Sequence, residues 1–146
     1  MALIRIIQNK HNQIGLWSLE EEPAELEQLI SLSRHDQLFL EKMTSRFRRR
    51  EFLSVRILMT ELLGRYPEIL YDSHHRPYLA GREKHISISH SRSLVAVIAG
   101  ERPAGIDTEE LHRDISPIIH RFMNAAEITW SSVAPDPSRA QVLCWS

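Results

Sequence analysis

Asp107 and Glu109, in the segment Ala104-Gly105-Ile106-Asp107-Thr108-Glu109, place two carboxylates two residues apart. At a strand end such residues project together, which is the shape of a hard-metal site. Just upstream, His85-Ile86-Ser87-Ile88-Ser89-His90-Ser91 alternates like a strand and ends in a histidine flanked by two hydroxyls, before the apolar run Leu94 to Ala99. Acid pair and histidine thus fall in one strand-turn-strand region. Taken alone, the acids read as solvated surface groups, and a histidine at a strand end commonly does no more than hydrogen-bond a neighbouring carbonyl. A third set is cationic: Arg46-Phe47-Arg48-Arg49-Arg50, continued by Arg56. Arginine runs usually form a solvated face or a nucleic-acid patch. Arg56, however, lies beside an apolar helical stripe, where an unpaired cation is costly to bury and a bound phosphate would satisfy it.

These residues need elements to position them. Ile4–Ile7 and Ile14–Leu19, joined by a polar stretch, predict a β-hairpin. Glu20 to Pro23 reads as an acidic helix start followed by Leu26, Leu29 and Ile30 at helical spacing, and Leu38, Phe39 and Met43 mark a second helix. The longest helix is expected from about Ser45 to Leu63, with Phe52, Val55, Met59, Leu62 and Leu63 as its apolar stripe and Gly64 as its stop. Ile69–Tyr71 and Pro77–Leu79 read as short strands about a turn, and two further strands lead into Gly105-Ile106-Asp107. Beyond the acids, Ile115 to Met123 and Ala125 to Val133 read as helices. Ser138 is the expected N-cap of another.

The chain has 146 residues, enough for one domain with a sizeable core or for a subdomain and part of a second. A net charge of -1 argues against general polyanion binding, so any basic site must be local. The single Cys144 excludes an internal disulfide and suggests a reducing compartment. Charge interrupts Met1-Ala2-Leu3-Ile4-Arg5 too soon for a signal peptide, and no apolar run approaches a membrane span. A cytoplasmic location without membrane contact is the expectation.

Four stretches in order carry a resemblance: Arg50-Glu51-Phe52-Leu53-Ser54-Val55-Arg56-Ile57-Leu58, His75-Arg76-Pro77-Tyr78-Leu79, Ile86-Ser87-Ile88-Ser89-His90-Ser91 and Gly105-Ile106-Asp107-Thr108-Glu109. Together they resemble the 4'-phosphopantetheinyl transferases, in particular the larger, pseudo-dimeric kind that activates polyketide and nonribosomal peptide synthetases. The resemblance covers roughly Arg46 to the C-terminus, and Ile-Ser-His-Ser followed by Gly-Ile-Asp-x-Glu is its most specific part.

The resemblance implies an α+β fold of two similar halves about a pseudo-twofold axis. The expected subdomains are 1–102 and a partial 103–146. It implies Mg²⁺ on Asp107 and Glu109, with Ser89 and His90 on the phosphates of coenzyme A. Arg56 and Arg76 match basic positions that hold its 3'-phosphate and adenine end, and Glu127 becomes a further acidic candidate because Arg121-Phe122-Met123-Asn124-Ala125-Ala126-Glu127 resembles the family's Arg-Phe-Phe-x-x-x-Glu helix. The implied reaction transfers 4'-phosphopantetheine to a serine of an apo acyl or peptidyl carrier protein, with His90 and Glu127 as catalytic candidates. The family's Trp-Ser/Thr-x-Lys-Glu helix is met only at Trp145-Ser146, in an apolar stretch that reads as mid-helix. Low turnover and self-association through an uncovered face of the second half are therefore expected. Two other readings stand beside this one: a non-catalytic coenzyme A or carrier-binding remnant, and a nucleic-acid module built on Arg46 to Arg50, which gives the acid pair no role.

Overall fold

A computed structural model describes residues 3–111 and 114–145. Met1, Ala2, Ser146 and the side chains of Cys144 and Trp145, on which the leader and terminal-motif expectations partly rest, lie outside the described residues. The chain is α+β, with a four-stranded antiparallel sheet and several helices. It divides into two compact units, Met1–Asp107 and Thr108–Ser146, so the boundary falls between the two acids of interest. No helix among the described residues is long and apolar enough to cross a membrane.

In the first unit, β1 (Leu3–Gln8) and β2 (Asn12–Ser18) form the expected hairpin. Three helices follow, α1 (Pro23–Glu27), α2 (Arg34–Glu41) and α3 (Arg46–Leu63). Leu29, Ile30 and Met43 fall outside α1 and α2, which are shorter than their apolar spacing suggested. Strands β3 (Ile69–Tyr71) and β4 (Pro77–Leu79) make a separate two-stranded ribbon, while β5 (His85–His90) and β6 (Leu94–Gly100) complete the main sheet in the order β1-β2-β6-β5.

The long helix is fixed at both ends by local chemistry. Ser45 Oγ accepts the Arg48 N–H at 3.3 Å, and Gly64 adopts φ 66°, a left-handed stop open to glycine without strain. Between them, every residue from Glu51 to Met59 is buried. Over that stretch the helix is enclosed beyond its expected apolar stripe, and Glu51, Ser54 and Arg56 are buried with Leu53 and Leu58.

Gly15 on β2 is where α3 approaches the sheet. A Cβ there would stand 2.7 Å from Leu58 Cδ1, and Leu58 is fully buried. Gly15→Ala is expected to destabilise the fold by about 1–3 kcal/mol through overpacking. A urea unfolding midpoint indistinguishable from wild type would refute that close approach.

Pairing register decides what β5 displays. Ile86, Ile88 and His90 lie opposite Ala99, Val97 and Val95, and Ile86 and Ile88 pack against the core that α3 covers. Ser87 and Ser89, on the alternate positions, face the other side.

The second unit contains a short 3₁₀ helix, Ser116–Arg121, where an α-helix was expected over Ile115 to Met123. Pro117 lacks an N–H, and Asp114 Oδ1 instead accepts the Ser116 N–H at 3.0 Å. Helices α4 (Ala125–Ser132) and α5 (Pro137–Trp145) follow. The start of α5 is Asp136, not Ser138: its Oδ1 accepts the Arg139 N–H at 3.0 Å, and Pro137 takes the first helical position, where its missing N–H costs nothing. Trp130, Val133 and Leu143 are exposed in this unit.

Candidate functional site

β5 is an edge strand whose two faces carry different chemistry. On one face, Ser89 Oγ donates to Asp107 Oδ1 at 3.0 Å, and Ser87 Oγ accepts the Ile106 N–H at 3.3 Å. The two serines therefore tie the Gly105–Asp107 segment to the strand that ends in His90. No strand is present there, contrary to expectation: the last strand ends at Gly100, and Pro103 starts an irregular stretch that reaches Glu110. A shared strand face therefore does not juxtapose Asp107 and Glu109, and Glu109 belongs to the second unit.

Among the described residues, no three or more His, Cys, Asp or Glu side chains form a group that could hold a metal ion. Asp107 and Glu109 are hard oxygen donors of the type Mg²⁺ takes. Two such donors fall short of the six oxygens Mg²⁺ takes, so other oxygen ligands would have to supply the rest.

Beside the serine face opens a cleft of about 740 Å³ lined by Arg76, Arg82, Lys84 and His85, with Gly105 at its margin. Arg82 lies 4.7 Å above the Tyr78 ring, a cation–π contact that orients it. Arg76 follows a tight turn in which Asp72 Oδ1 accepts the His74 N–H at 2.8 Å and the Arg76 N–H at 2.9 Å. These bonds hold the Asp72 carboxyl below its ordinary value and support His75 at φ 60°, an uncommon conformation for a non-glycine residue. The cleft is cationic and opens beside the segment that carries Asp107.

On the other face, His90 turns toward α3. Its Nδ1 lies 2.5 Å from Oε1 of Glu51, a residue for which the sequence had suggested no role. Ser89 and His90, neighbours in sequence and expected to meet the same phosphates, thus point to opposite sides of the strand. A ligand meeting both would have to straddle the edge of β5.

Arg56 is corrected most sharply. It is 2% exposed and does not await a phosphate: its Nε donates to Asp36 Oδ2 at 3.0 Å and its Nη2 to Asp36 Oδ1 at 3.2 Å. Its guanidinium also lies 3.5 Å over the Phe52 ring, and Tyr66 donates to Asp36 Oδ2 at 2.5 Å. Burial raises the Asp36 carboxyl, but hydrogen bonds from Arg56 and Tyr66 and the charge of Arg56 outweigh it and hold the group below its usual range. The cation has a counter-ion inside the fold.

The arginine run is likewise engaged. Arg46 pairs with Glu22, while Arg49 donates to Glu27 Oε1 at 2.9 Å and to the Leu40 carbonyl at 3.0 Å. These pairs spend on α1 much of the charge that a nucleic-acid ladder would need.

Glu127 has a structural task. Its Oε2 accepts the Asn124 N–H at 2.8 Å while Asn124 Oδ1 accepts the Glu127 N–H at 3.0 Å, a capping box at the start of α4. Asn and Glu three residues apart before a helix was a readable signal for it. Glu51 was harder to find, since only its place at i−4 from Val55 and i−7 from Leu58 marked it as inward-facing.

Set against protein-family models and against curated proteins, the chain matches none.

Proposed function

We propose that this chain is a 4'-phosphopantetheinyl transferase-like protein that binds coenzyme A and passes its 4'-phosphopantetheine arm to a serine of an apo carrier protein. The observation that carries this reading is the pair of hydrogen bonds that joins Ser87, as acceptor, to the Ile106 N–H and Ser89, as donor, to Asp107. The two stretches whose order and spacing are most specific to that family are thereby fastened together in space, and a cationic cleft lies alongside.

In the reaction, the serine oxygen forms a bond to the β-phosphorus of coenzyme A, and the bridging P–O bond breaks. The electron pair leaves with 3',5'-ADP, and the serine proton passes to a base. Arg76, with Arg82 and Lys84 in the same cleft, holds the phosphate charge; Ser89 orients Asp107, and His90 contacts a phosphate oxygen at the end of β5. Asp107 and Glu109 would hold Mg²⁺, which when bound supplies positive charge against the leaving phosphate. Arg56 has no part in this scheme because Asp36 already answers its charge.

A second reading, coenzyme A binding without turnover, is favoured by the capping role of Glu127, which engages the carboxylate that the resemblance offered as a catalytic candidate. Calorimetry tests the binding step common to both. Coenzyme A is expected to bind more tightly with Mg²⁺ than with a chelator, and Asp107→Ala to abolish that difference. Arg76→Ala and His90→Ala should each cost about 1.5–3 kcal/mol of coenzyme A affinity, the loss of one charge-assisted contact. Equal affinity with Mg²⁺ and with chelator would remove the metal from the scheme.

A further inference from the structure

Glu51 has no part in the scheme above, yet it is a carboxylate only 5% exposed at the start of the buried stretch of α3. A buried charge is costly unless other groups answer it. Two do: His90 Nδ1 lies 2.5 Å from its Oε1, and Arg48 Nη1 lies 3.8 Å from its Oε2. Oε1 is sealed from solvent, and its contact with His90 is an ion pair off the line of a regular hydrogen bond. The His90 side chain is 42% exposed, so the pair joins a sealed oxygen to a ring that borders a cleft of about 720 Å³. Charged or titratable groups facing it there are Arg48 and Arg56 from α3, Tyr71 from β3 and His75 from the β3–β4 turn.

Two bare lone pairs would repel at this separation, so either Nδ1 or the Glu51 carboxyl carries a proton. Burial pushes the Glu51 carboxyl up, against the pull of His90 and Arg48, and that favours keeping the proton. Imidazolium beside carboxylate and neutral imidazole beside carboxylic acid both meet this requirement. Each leaves the pair neutral with a proton on Nε2. Loss of one proton leaves Nδ1–H against a carboxylate, a bare Nε2 and a net negative charge. That form accepts hydrogen bonds and repels anions.

We propose that Glu51 is the positioning residue for His90, holding Nδ1 inward so that Nε2 donates to a phosphate oxygen only while the pair keeps its second proton. The proposal rests on the reading of His90 as a phosphate contact and adds the residue that sets the ring's orientation and protonation. Phosphate binding and proton uptake are then linked, and affinity falls as pH rises through the titration of the pair.

Nitrogen NMR of the histidine rings in the full chain tests this, with His90 assigned by the signals lost in His90→Gln. Spectra and 3',5'-ADP affinity are followed from mildly acid to mildly alkaline pH. In wild type the neutral ring is expected as the Nδ1–H tautomer, with affinity falling about tenfold or more as Nε2 loses its proton. In Glu51→Leu the neutral ring should become the Nε2–H tautomer, and the alkaline fall should flatten to less than about twofold. If Glu51→Leu fails to fold, Glu51→Met removes the carboxylate at similar volume, leaves Nδ1 no strong acceptor and should flatten the profile too. The same tautomer in wild type and variant, or parallel affinity profiles, overturns the proposal. Wild type that does not bind 3',5'-ADP overturns the phosphate-contact reading and the coupling with it, while the ring spectra separately decide whether Glu51 orients His90.

Discussion

Arg56→Ala is expected to destabilise the protein by about 3–5 kcal/mol, the cost of leaving a buried carboxylate without its partner. Asp36 is 3% exposed, and its two oxygens accept from Arg56 Nε, Arg56 Nη2 and Tyr66 Oη, so removal of the guanidinium strands a charge that water cannot reach. Asp36→Ala should cost a similar amount. The double variant Asp36→Leu with Arg56→Met should be much less destabilised than the sum of the single changes, because it removes both charges together. Chemical denaturation measures all three. If Arg56→Ala kept wild-type stability and lost only affinity for coenzyme A, the assignment of this arginine to the fold would fail.

The same pair gives a pH dependence with a definite sign. The Asp36 carboxyl is held below its ordinary value of 3.8, so in that window the unfolded chain binds more protons than the folded one. Its contribution is fully present above about 3.8 and is lost as pH falls through the lower folded value. Asp36→Asn should flatten this part of the acid-unfolding curve.

Features set by neighbours in sequence were legible. Ser45 and Gly64 mark the ends of α3 because a cap and a left-handed stop depend on a few adjacent residues. The hairpins β1–β2 and β3–β4 follow from short polar turns between apolar runs. What escaped was pairing across the fold. Asp36 on α2 answers Arg56 on α3, and Glu51 on α3 answers His90 on β5, and neither separation leaves a periodic trace. The enclosure of α3 from Glu51 to Met59 hid Glu51 further, since the apolar stripe of Phe52, Val55 and Met59 marks only one face as inward. The two-residue spacing of Asp107 and Glu109 suggests a strand end, but the chain leaves the sheet after Gly100, and Gly105–Asp107 is held by serine hydroxyls instead of a backbone ladder. Of the candidate site, residue types and their order were legible; the division of Ser89 and His90 between two faces of β5 followed only from the register.

Asp107→Ala carries the largest expected effect on activity, a loss of roughly a hundred- to a thousandfold in phosphopantetheine transfer, the scale of removing one preorganised electrostatic contact to a transition state. Ser89→Ala should act in the same direction and less severely, because it removes the hydroxyl that orients Asp107 Oδ1 and leaves the carboxylate itself. The direct measurement is the intact mass of an apo carrier protein incubated with coenzyme A, Mg²⁺ and this chain. The carrier is expected to gain the mass of 4'-phosphopantetheine, and the gain to be lost with a chelator or with Asp107→Ala. A carrier of unchanged mass after prolonged incubation would contradict the transferase reading.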